Sequence, residues 1–167
     1  LTGQAQSITP SPTLNEKVRF VRTEPVVFSP VDPKTLFFAG NFLFKTQNGG
    51  DSWEVISPDL SRENVDIPAS VGIYKTEAKK TVTRRGVIYT VSPSPLDVNL
   101  IWAGTDDGLI HVTNDGGKKW ANVTPPDLSS WSKVSLIDAS HFNKSTAYAA
   151  INRIRCDDVH PYIYKTY

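Results

Sequence analysis

One short motif occurs twice in the chain and begins a third time near its end, and this repetition limits the fold more than any other feature. Residues 42–53 run from an apolar segment through Asn-Gly-Gly to Trp53, and residues 109–120 run in the same order through Asp-Gly-Gly to Trp120. Residues 162–166 repeat the start of the motif. The aligned threonines lie 113 − 46 = 67 and 166 − 113 = 53 residues apart. Recurrence at such spacings indicates stacked copies of one supersecondary unit.

Each copy of the motif is predicted to be a hairpin whose tight turn is closed by side chains. A short Asn or Asp side chain accepts hydrogen bonds from backbone N–H groups farther along the turn, and glycine adopts positive φ without a steric penalty. The hydroxyl groups of Thr46 and Thr113 can satisfy loop backbone groups. The tryptophan buries a large ring against the sheet and keeps its N–H available to an acceptor. The motif therefore predicts a structural turn rather than a ligand site.

The sequence around these hairpins predicts three units of four short antiparallel strands, over about 24–57, 86–124 and 133–167. Their segments are rich in β-branched and aromatic residues and are bounded by Pro, Gly, Asn, Asp or Ser. No window shows a 3.6-residue period, so almost no helix is expected.

In two of these units the sequence predicts specific limits for a strand and for the turn or connection next to it. In the second unit the first strand covers 86–91, and residues 92–97 form the following turn. In the third unit the last strand covers 162–166, and residues 152–161 form the connection before it. A fourth strand is missing from that unit.

These units favour an all-β fold, a partial β-propeller of about three four-stranded antiparallel blades. Residues 1–16 are expected to be a flexible lead-in, and residues 17–167 the propeller segment. A closed propeller needs at least about four blades, so an arc of a longer chain is expected, with an apolar face exposed at one or both ends. The alternative is a complete β-sandwich of about 11 strands, which the interrupted third hairpin disfavours.

Charge, hydropathy and cysteine content restrict the partners. The 18 Lys and Arg and 17 Asp and Glu residues give a formal net charge of +1, which makes no electrostatic case for nucleic acid or an anionic membrane. The longest apolar runs, of about five residues, are far shorter than the roughly 18 needed to span a bilayer, so no membrane insertion is expected. Cys156 is the only cysteine, so an internal disulfide is impossible.

The turn motif resembles the Asp-box, or BNR repeat, whose common form is Ser/Thr-x-Asp-x-Gly-x-Thr/Ser-Trp. The second copy matches it with Lys119 in place of the hydroxyl residue, and the first copy has Asn48 in place of the aspartate. The residues assigned to the structural Asp-box are Thr46, Asn48, Gly50, Ser52, Trp53, Thr113, Asp115, Gly117 and Trp120. Residues 88–95 and 104–113 also resemble large bacterial proteins of the BNR and sortilin-like group.

This resemblance covers about residues 17–167 and implies a propeller more specifically than it implies an activity. Asp-boxes occur in sialidases, in the sortilin (Vps10) propeller and in bacterial proteins similar to glycosyl hydrolases or photosystem II assembly factors. The box usually lies on the outer rim of a blade. The resemblance favours a sortilin-like scaffold that binds protein or peptide, with a glycan as a further candidate partner and the remaining blades of a longer chain as neighbours.

Two other functions stay open. The first is a sialidase-type glycoside hydrolase whose catalytic residues lie partly outside these residues, and the second, weaker one is an assembly factor for a membrane complex. Whether the protein is an enzyme is left undecided, with a binding role preferred. The resemblance favours a secreted or periplasmic location, while the single unpaired cysteine leaves a cytoplasmic one open.

Strand order predicts where binding residues gather. In a four-stranded blade, the turns between strands one and two and between strands three and four share one end. The turn between strands two and three and the connection between blades share the other end, and these are the longer, more charged segments. The candidate binding residues on this loop face are Arg84, Arg85, Asp106, Asp107, Arg153, Asp157, Asp158 and His160, with Trp131 nearby.

No catalytic or metal-ligating set is assigned from the sequence. Glycoside cleavage needs two carboxylates at a set separation, and nothing in the sequence pairs Asp106 or Asp107 with Glu54, Glu77 or the acidic residues near 157. The latter also lack the spacing of a calcium loop or a zinc site, so neither metal nor cofactor is predicted. The irregular connection 57–85 is long enough to be functional or mobile.

Overall fold

The computed structural model of the protein describes residues 3–10, 17–64, 67–74 and 84–166. These residues form three antiparallel sheets in chain order, and their helical content is limited to two short 3-10 segments, Ala69–Tyr74 and Ile154–Cys156. The all-β prediction is therefore confirmed. Among the described residues, no helix has the length and apolar character needed to cross a bilayer.

Each of the first two sheets is a four-stranded meander in which neighbours in sequence are neighbours in space. The strands of the first sheet are β1 (Val26–Phe28), β2 (Leu36–Ala39), β3 (Leu43–Thr46) and β4 (Glu54–Val55). Those of the second sheet are β5 (Ile88–Pro93), β6 (Ile101–Thr105), β7 (Ile110–Thr113) and β8 (Ala121–Asn122). The third sheet has three strands, β9 (Lys133–Ala139), β10 (Ala147–Arg153) and β11 (Asp158–Lys165), with β10 in the centre.

The hydrophobic core is divided into two layers, each lying between consecutive sheets. Phe37 and Leu43 of the first sheet pack with Ile101 and Ala103 of the second. Trp102 of the second sheet packs in a separate cluster with residues of β9 and β10. Alternate residues of β6 thus face opposite neighbours, as expected for a sheet that is covered on both faces. The second sheet therefore depends on both neighbours for burial.

The first strand of the second sheet ends later than predicted. β5 extends through Ser92 and Pro93, which were expected to begin a turn, and Pro93 pairs with Ile101. The hydroxyl groups of Thr90 and Ser92 accept hydrogen bonds from backbone N–H groups of β9, at 3.1 and 3.0 Å. These contacts between sheets hold the segment extended, and a proline is tolerated because it is the last residue of the strand.

The predicted connection 152–161 is wrong in its limits. β10 continues to Arg153 and β11 begins at Asp158, so only four residues connect them. The register shifts between Ile151 and Arg153, which leaves extra residues on β11 opposite a shorter stretch of β10. Pro161 lies within this irregular part of an outer strand, where a proline costs no ladder hydrogen bond.

The two turns of the repeated motif have the same internal hydrogen bonds. Thr46 Oγ1 accepts from Gly50 N at 3.1 Å, and Thr113 Oγ1 accepts from Gly117 N at 3.0 Å. Each threonine also donates to the Asx side chain of its own turn, and that side chain accepts from the backbone N–H four residues later. Asn48 therefore performs the acceptor role that Asp115 performs in the second copy.

The tryptophan after each turn reaches backward to an earlier segment. Trp120 Nε1 donates to the carbonyl of Ile56 at 2.8 Å and thereby joins the second sheet to the first. Trp53 Nε1 donates to the carbonyl of Ile8 at 2.8 Å, and its ring contacts Phe38 edge-on. Part of the predicted lead-in thus lies against the first sheet, where Pro10 is buried.

Candidate functional site

A pocket of about 260 Å³ lies at the end of the sheets where β6 turns into β7, and it is called the loop-face pocket here. It is lined by Arg62, Asn64, Arg85, Gly86, Asp106, Asp107, Ser130, Trp131 and Arg155. The turns of the repeated motif lie elsewhere, because Gly116 N donates to Asn99 O in the turn between β5 and β6. Of the candidate residues, Arg85, Asp106 and Asp107 are brought together here.

Asp106 ties the second sheet to the third. Its Oδ1 accepts from Val87 N at 2.9 Å, and its own N–H donates to Val87 O at 3.0 Å. Its Oδ2 accepts hydrogen bonds from both Nη1 and Nη2 of Arg155, each at 3.2 Å. The Arg155 side chain is 45% exposed, so one face of the pocket carries an accessible guanidinium held in place by a fixed carboxylate.

Asp107 ties the second sheet to the first. Its Oδ2 accepts from Arg62 N at 2.8 Å, and its Oδ1 accepts from the Thr105 hydroxyl. Arg62 Nε donates in return to Asp107 O at 2.7 Å. Burial raises the pKa of Asp107, with a smaller contribution from the nearby charge of Asp106, and the bonds from Thr105 and Arg62 oppose the rise only in part.

The pocket floor requires glycine at position 86. A Cβ there would lie 1.9 Å from Asp107 Oδ2 and 2.9 Å from Ser61 Cβ. Only a residue without a side chain allows the chain before β5 to pass this close to the carboxylate. The carboxylate and the backbone are therefore packed directly against each other.

Trp131 has a backbone conformation that is unusual for its type. Its φ is 66°, in the left-handed region, where bulky residues are genuine outliers. Such strain costs on the order of 1–3 kcal/mol and persists where the surroundings impose it, often at ligand sites. The half-buried indole of Trp131 and the three arginines lining the pocket give it a mixed apolar and cationic surface.

Arg84 lies apart from the pocket in a network around Asp59. Asp59 accepts from Arg19 at 2.9 Å and pairs with Arg84 at 3.3 Å. Burial raises the pKa of Asp59, but the hydrogen bonds from Ser61 and Asn41 outweigh it, and the pKa lies below its usual value. The network fastens the chain before β1 and the chain before β5 to the first sheet, which is a structural role.

A second cluster forms at the tip of the third sheet and contains Arg153, Asp158 and His160. Asp158 pairs with Arg153 at 3.3 Å and with His160 Nδ1 at 2.9 Å, and it accepts from the Tyr162 hydroxyl at 2.8 Å. The bonds from Tyr162 and His160 lower the pKa of Asp158 to about 2. Asp157 lies in the turn before it with φ 58°. The structure does not bring this cluster into the loop-face pocket.

Sequence reasoning did not assign Arg62, Asn64, Ser130 or Arg155 as binding residues. The first three lie in connections between sheets. The tripeptide Asp-Leu-Ser occurs in both connections, at residues 59–61 just before Arg62 and at residues 127–129 just before Ser130, and this repeat could have indicated their position. Glu77 and the rest of 75–83 lie outside the described residues. Within the described ranges, no group of three or more His, Cys, Asp or Glu side chains is arranged to hold a metal ion.

No protein-family model and no curated protein matches this sequence. Among solved structures, an ancestral GH74 enzyme superposes with a TM-score of 0.53 at 19% identity over 85% of this chain and 17% of its own. A GH74 enzyme of Niastella koreensis gives 0.51 at 20% identity over 84% of this chain and 19% of its own. A structure of YCF48 bound to D1 peptide gives 0.49 at 19% identity over 90% of this chain and 43% of its own, a likeness too distant to inform function.

The two GH74 enzymes are β-propeller proteins, and the three consecutive antiparallel sheets of this chain are arranged as a partial propeller. The predicted fold class is therefore confirmed, and each sheet is referred to below as a blade. The chain spans less than a fifth of the length of those enzymes, at identities that show the fold alone.

Proposed function

We propose that the protein is a propeller scaffold that binds a protein or peptide segment on its loop face, in the manner of sortilin-like propellers. The observation that supports this most is the loop-face pocket, which is built by connections from all three blades. Longer connections on a rigid sheet framework are the usual place for recognition. The polar groups of the Asp-box turns form hydrogen bonds within their own turns. The opposite end of the sheets, which carries the loop-face pocket, is therefore the better candidate for ligand binding.

The chemistry of the pocket favours a segment that carries both an acidic and an apolar group. Its lining has three arginines and two aspartates, and each aspartate is already bonded to groups of the protein, Asp106 to Val87 and Arg155 and Asp107 to Arg62 and Thr105. Guanidinium groups form bidentate bonds to carboxylates, and an indole provides a broad apolar contact at low entropic cost. Arg155 and Trp131 are therefore the proposed anchors.

A sialidase-type glycoside hydrolase is the second candidate, and one observation favours it. A carboxyl group with a raised pKa in a pocket is the property expected of a general acid, and Asp107 has it. The other carboxylate in the pocket, Asp106, is held by Val87 and Arg155 rather than facing Asp107 across a cleft. Release of reducing sugar or sialic acid from a glycan panel, lost in Asp107→Asn, would favour this candidate over binding.

A full propeller would extend this arc. Further blades in a longer chain would cover the outer faces of the first and third blades, and a secreted or periplasmic location fits such a recognition module.

A peptide array screened for binding, followed by titration of the best ligand, tests the proposal. Trp131→Gly removes the indole at a position whose φ suits glycine, so the variant should fold normally while losing affinity by about tenfold or more. Arg155→Gln should weaken the binding of acidic peptides more than the binding of neutral ones. Lys144→Gln removes a cation from the ion pair with Asp97 at the other end of the blades and should bind as the original does. Equal affinity of all three variants would refute the loop-face assignment.

A further inference from the structure

A second pocket lies at the end of the blades that carries the Asp-box turns, and the proposed function does not use it. It has a volume of about 440 Å³ and is called the rim pocket here. The turn of the repeated motif in the second blade contributes Asn114, Lys119 and Trp120, and the β9–β10 turn of the third blade contributes Lys144 and Ser145. A pocket of several hundred Å³ is large enough to hold a small ligand.

The rim pocket belongs to the four-stranded blades, because the first blade has a counterpart. Val112 pairs with Ala121 across β7 and β8, and both residues line the rim pocket. Lys45 and Glu54 form the matching pair in the first blade, and both line a pocket of about 280 Å³ there. The residues that line the rim pocket all precede β11. A pocket at this position therefore does not depend on the unpaired edge of the third blade.

Three polar side chains of the rim pocket are exposed and form no hydrogen bond or ion pair with any described residue. They are those of Asn114, Lys119 and Ser145. The turn is closed by other groups, since Asp115 Oδ1 accepts from the backbone N–H of Lys119 and not from its ammonium group. An amide, an ammonium and a hydroxyl group together supply both donors and acceptors. These three groups are therefore available to a ligand.

An ion pair between the second and third blades borders the same pocket. Asp97 Oδ2 accepts from Lys144 Nζ at 2.9 Å, and Asp97 Oδ1 accepts from Asn99 N at 3.0 Å. The bond from Asn99 and, after it, the bond from Lys144 lower the pKa of Asp97, so its carboxylate stays ionised. Among the described residues that line the pocket, Lys119 is the one cation without a carboxylate partner. The rim pocket therefore carries a net positive charge.

The apolar part of the rim pocket is formed mainly by two tryptophans, with Leu100 and Val112 beside them. Trp120 is half-buried and offers only its ring, because its N–H already donates to Ile56 O at 2.8 Å. Trp102 is 7% exposed, and its Nε1 is buried without an acceptor among the described residues. Buried donors are normally paired, so Trp102 is a group of this wall that an added acceptor would stabilise. The pocket thus combines an aromatic surface with free hydrogen-bonding groups.

We propose that the rim pocket binds an acidic saccharide unit, that is, a pyranose ring that carries a carboxylate. One face of such a ring consists of C–H groups and packs on the indole of Trp120. The ring hydroxyls bond to Asn114, Ser145 and Asp97, and the carboxylate pairs with Lys119. A saccharide fits better than an acidic peptide, because the free groups of the pocket both donate and accept, as sugar hydroxyls do. This site is separate from the loop-face pocket and does not depend on the peptide binding proposed there.

Saturation-transfer NMR observed on the ligand tests the site with the 167-residue chain. Tetragalacturonate should bind saturably, with the strongest saturation on the C–H protons of its rings. Its methyl ester keeps the rings but removes the charge, and it should bind about threefold more weakly or worse. N-acetyl tetraglutamate amide keeps the carboxylates without a sugar ring and should show no saturable binding. Failure of tetragalacturonate to bind, or equal binding of either control, would overturn the proposal.

Two adjacent lysines provide a matched pair of variants. Lys119→Ser introduces the residue that the first copy of the motif has at Ser52, so the turn should form, and tetragalacturonate should bind about threefold more weakly or worse. Lys118→Ser removes the same charge next to the pocket lining and should bind within about 1.5-fold of the original. Equal effects of the two substitutions would indicate non-specific attraction and overturn the proposal. Loss of saccharide binding in Trp131→Gly would place the ligand in the loop-face pocket and would also overturn it.

Discussion

His111 is the residue whose burial has the clearest consequence for stability. It lies on β7, paired with Ala103 and Asn122, and it is 9% exposed. Its Nδ1 has no partner among the described residues, and burial lowers its pKa from 6.5 to about 4. The folded protein therefore holds a neutral imidazole at pH values where the unfolded chain would be protonated.

We predict that the free energy of unfolding falls as the pH drops from about 6.5 to about 4. Between these values the unfolded state binds more protons than the folded state, so the loss reaches up to about 3 kcal/mol. His111→Phe, which installs the residue found at the matching position 44, should remove this component. Urea unfolding at several pH values measures it.

The control for this prediction is His141→Gln, an exposed substitution that should retain the pH dependence of the original protein. Asp107 contributes with the opposite sign, because its raised pKa makes stability fall as pH rises above 3.8. That contribution is present in all three proteins and cancels in the comparison. Identical slopes for His111→Phe and the original would contradict the assignment of the dependence to His111.

Gly86 carries a second prediction about a single residue. Gly86→Ala places a Cβ against Asp107 Oδ2 and should destabilise the protein by about 1–3 kcal/mol, the usual cost of overpacking. The double variant Gly86→Ala with Asp107→Ala removes the nearest clash and should recover part of that loss. Thermal unfolding of both single variants and the double variant gives the coupling energy. Strict additivity would show that the clash lies elsewhere.

Among the elements, the hairpin of the repeated motif joins adjacent blades through its tryptophan. Trp120→Phe keeps most of the ring but removes the N–H that donates to Ile56. The unpaired Ile56 carbonyl and the smaller ring should together lower the free energy of unfolding by about 1–3 kcal/mol. Trp53→Phe removes the same bond to Ile8, which belongs to no sheet, and should cost less. Chemical denaturation ranks the two, and an equal or reversed ranking would contradict the role of Trp120 between blades.

The asparagine of the first turn should be replaceable by the residue of the second. In Asn48→Asp, the carboxylate still accepts from Thr46 Oγ1 and Ser52 N, as Asp115 does from Thr113 and Lys119. The lost amide donor to Ser52 is compensated when that hydroxyl donates instead. We expect a change in unfolding free energy within about 0.5 kcal/mol, and Asn48→Ala should cost clearly more. A large loss in Asn48→Asp would mean that the two turns are not equivalent.

The strands were predictable from sequence where turn-forming residues bound a segment of alternating apolar and polar residues. Both complete copies of the repeated motif meet this condition on either side. The predicted strand limits were wrong at two prolines that were assigned to turns or connections. Pro93 closes β5 and Pro161 lies inside β11, because an outer or terminal position needs no N–H. In the loop-face pocket, strand order alone suggested that Asp106 and Asp107 would lie near Arg85. The contribution of Arg62 depended on the path of the connection after β4, which no sequence pattern predicts.

At the scale of the whole molecule, the two ends of the arc are covered differently. The outer face of the first blade is packed in part by Phe20, whose ring lies 5.5 Å from Phe38 and 6.3 Å from Phe44 between centroids, while Val26 and Phe28 on the same face are 58% and 62% exposed. On the third blade, Leu136 and Ile163 both pair with Ala150, so they form one row, and they are 59% and 74% exposed. The third blade therefore presents an apolar row beside the edge of β11.

This exposed row predicts how the 167-residue chain behaves in solution. An apolar sheet face next to an edge without a paired strand promotes association, so the chain should be aggregation-prone on its own. Leu136→Lys combined with Ile163→Lys places charges on that face and should increase the monomer fraction in light scattering at a given concentration. Val31→Lys, at an isolated exposed valine in a turn, should not. A chain that is monomeric and melts cooperatively without these substitutions would show that the third blade needs no neighbour, and would count against an incomplete propeller.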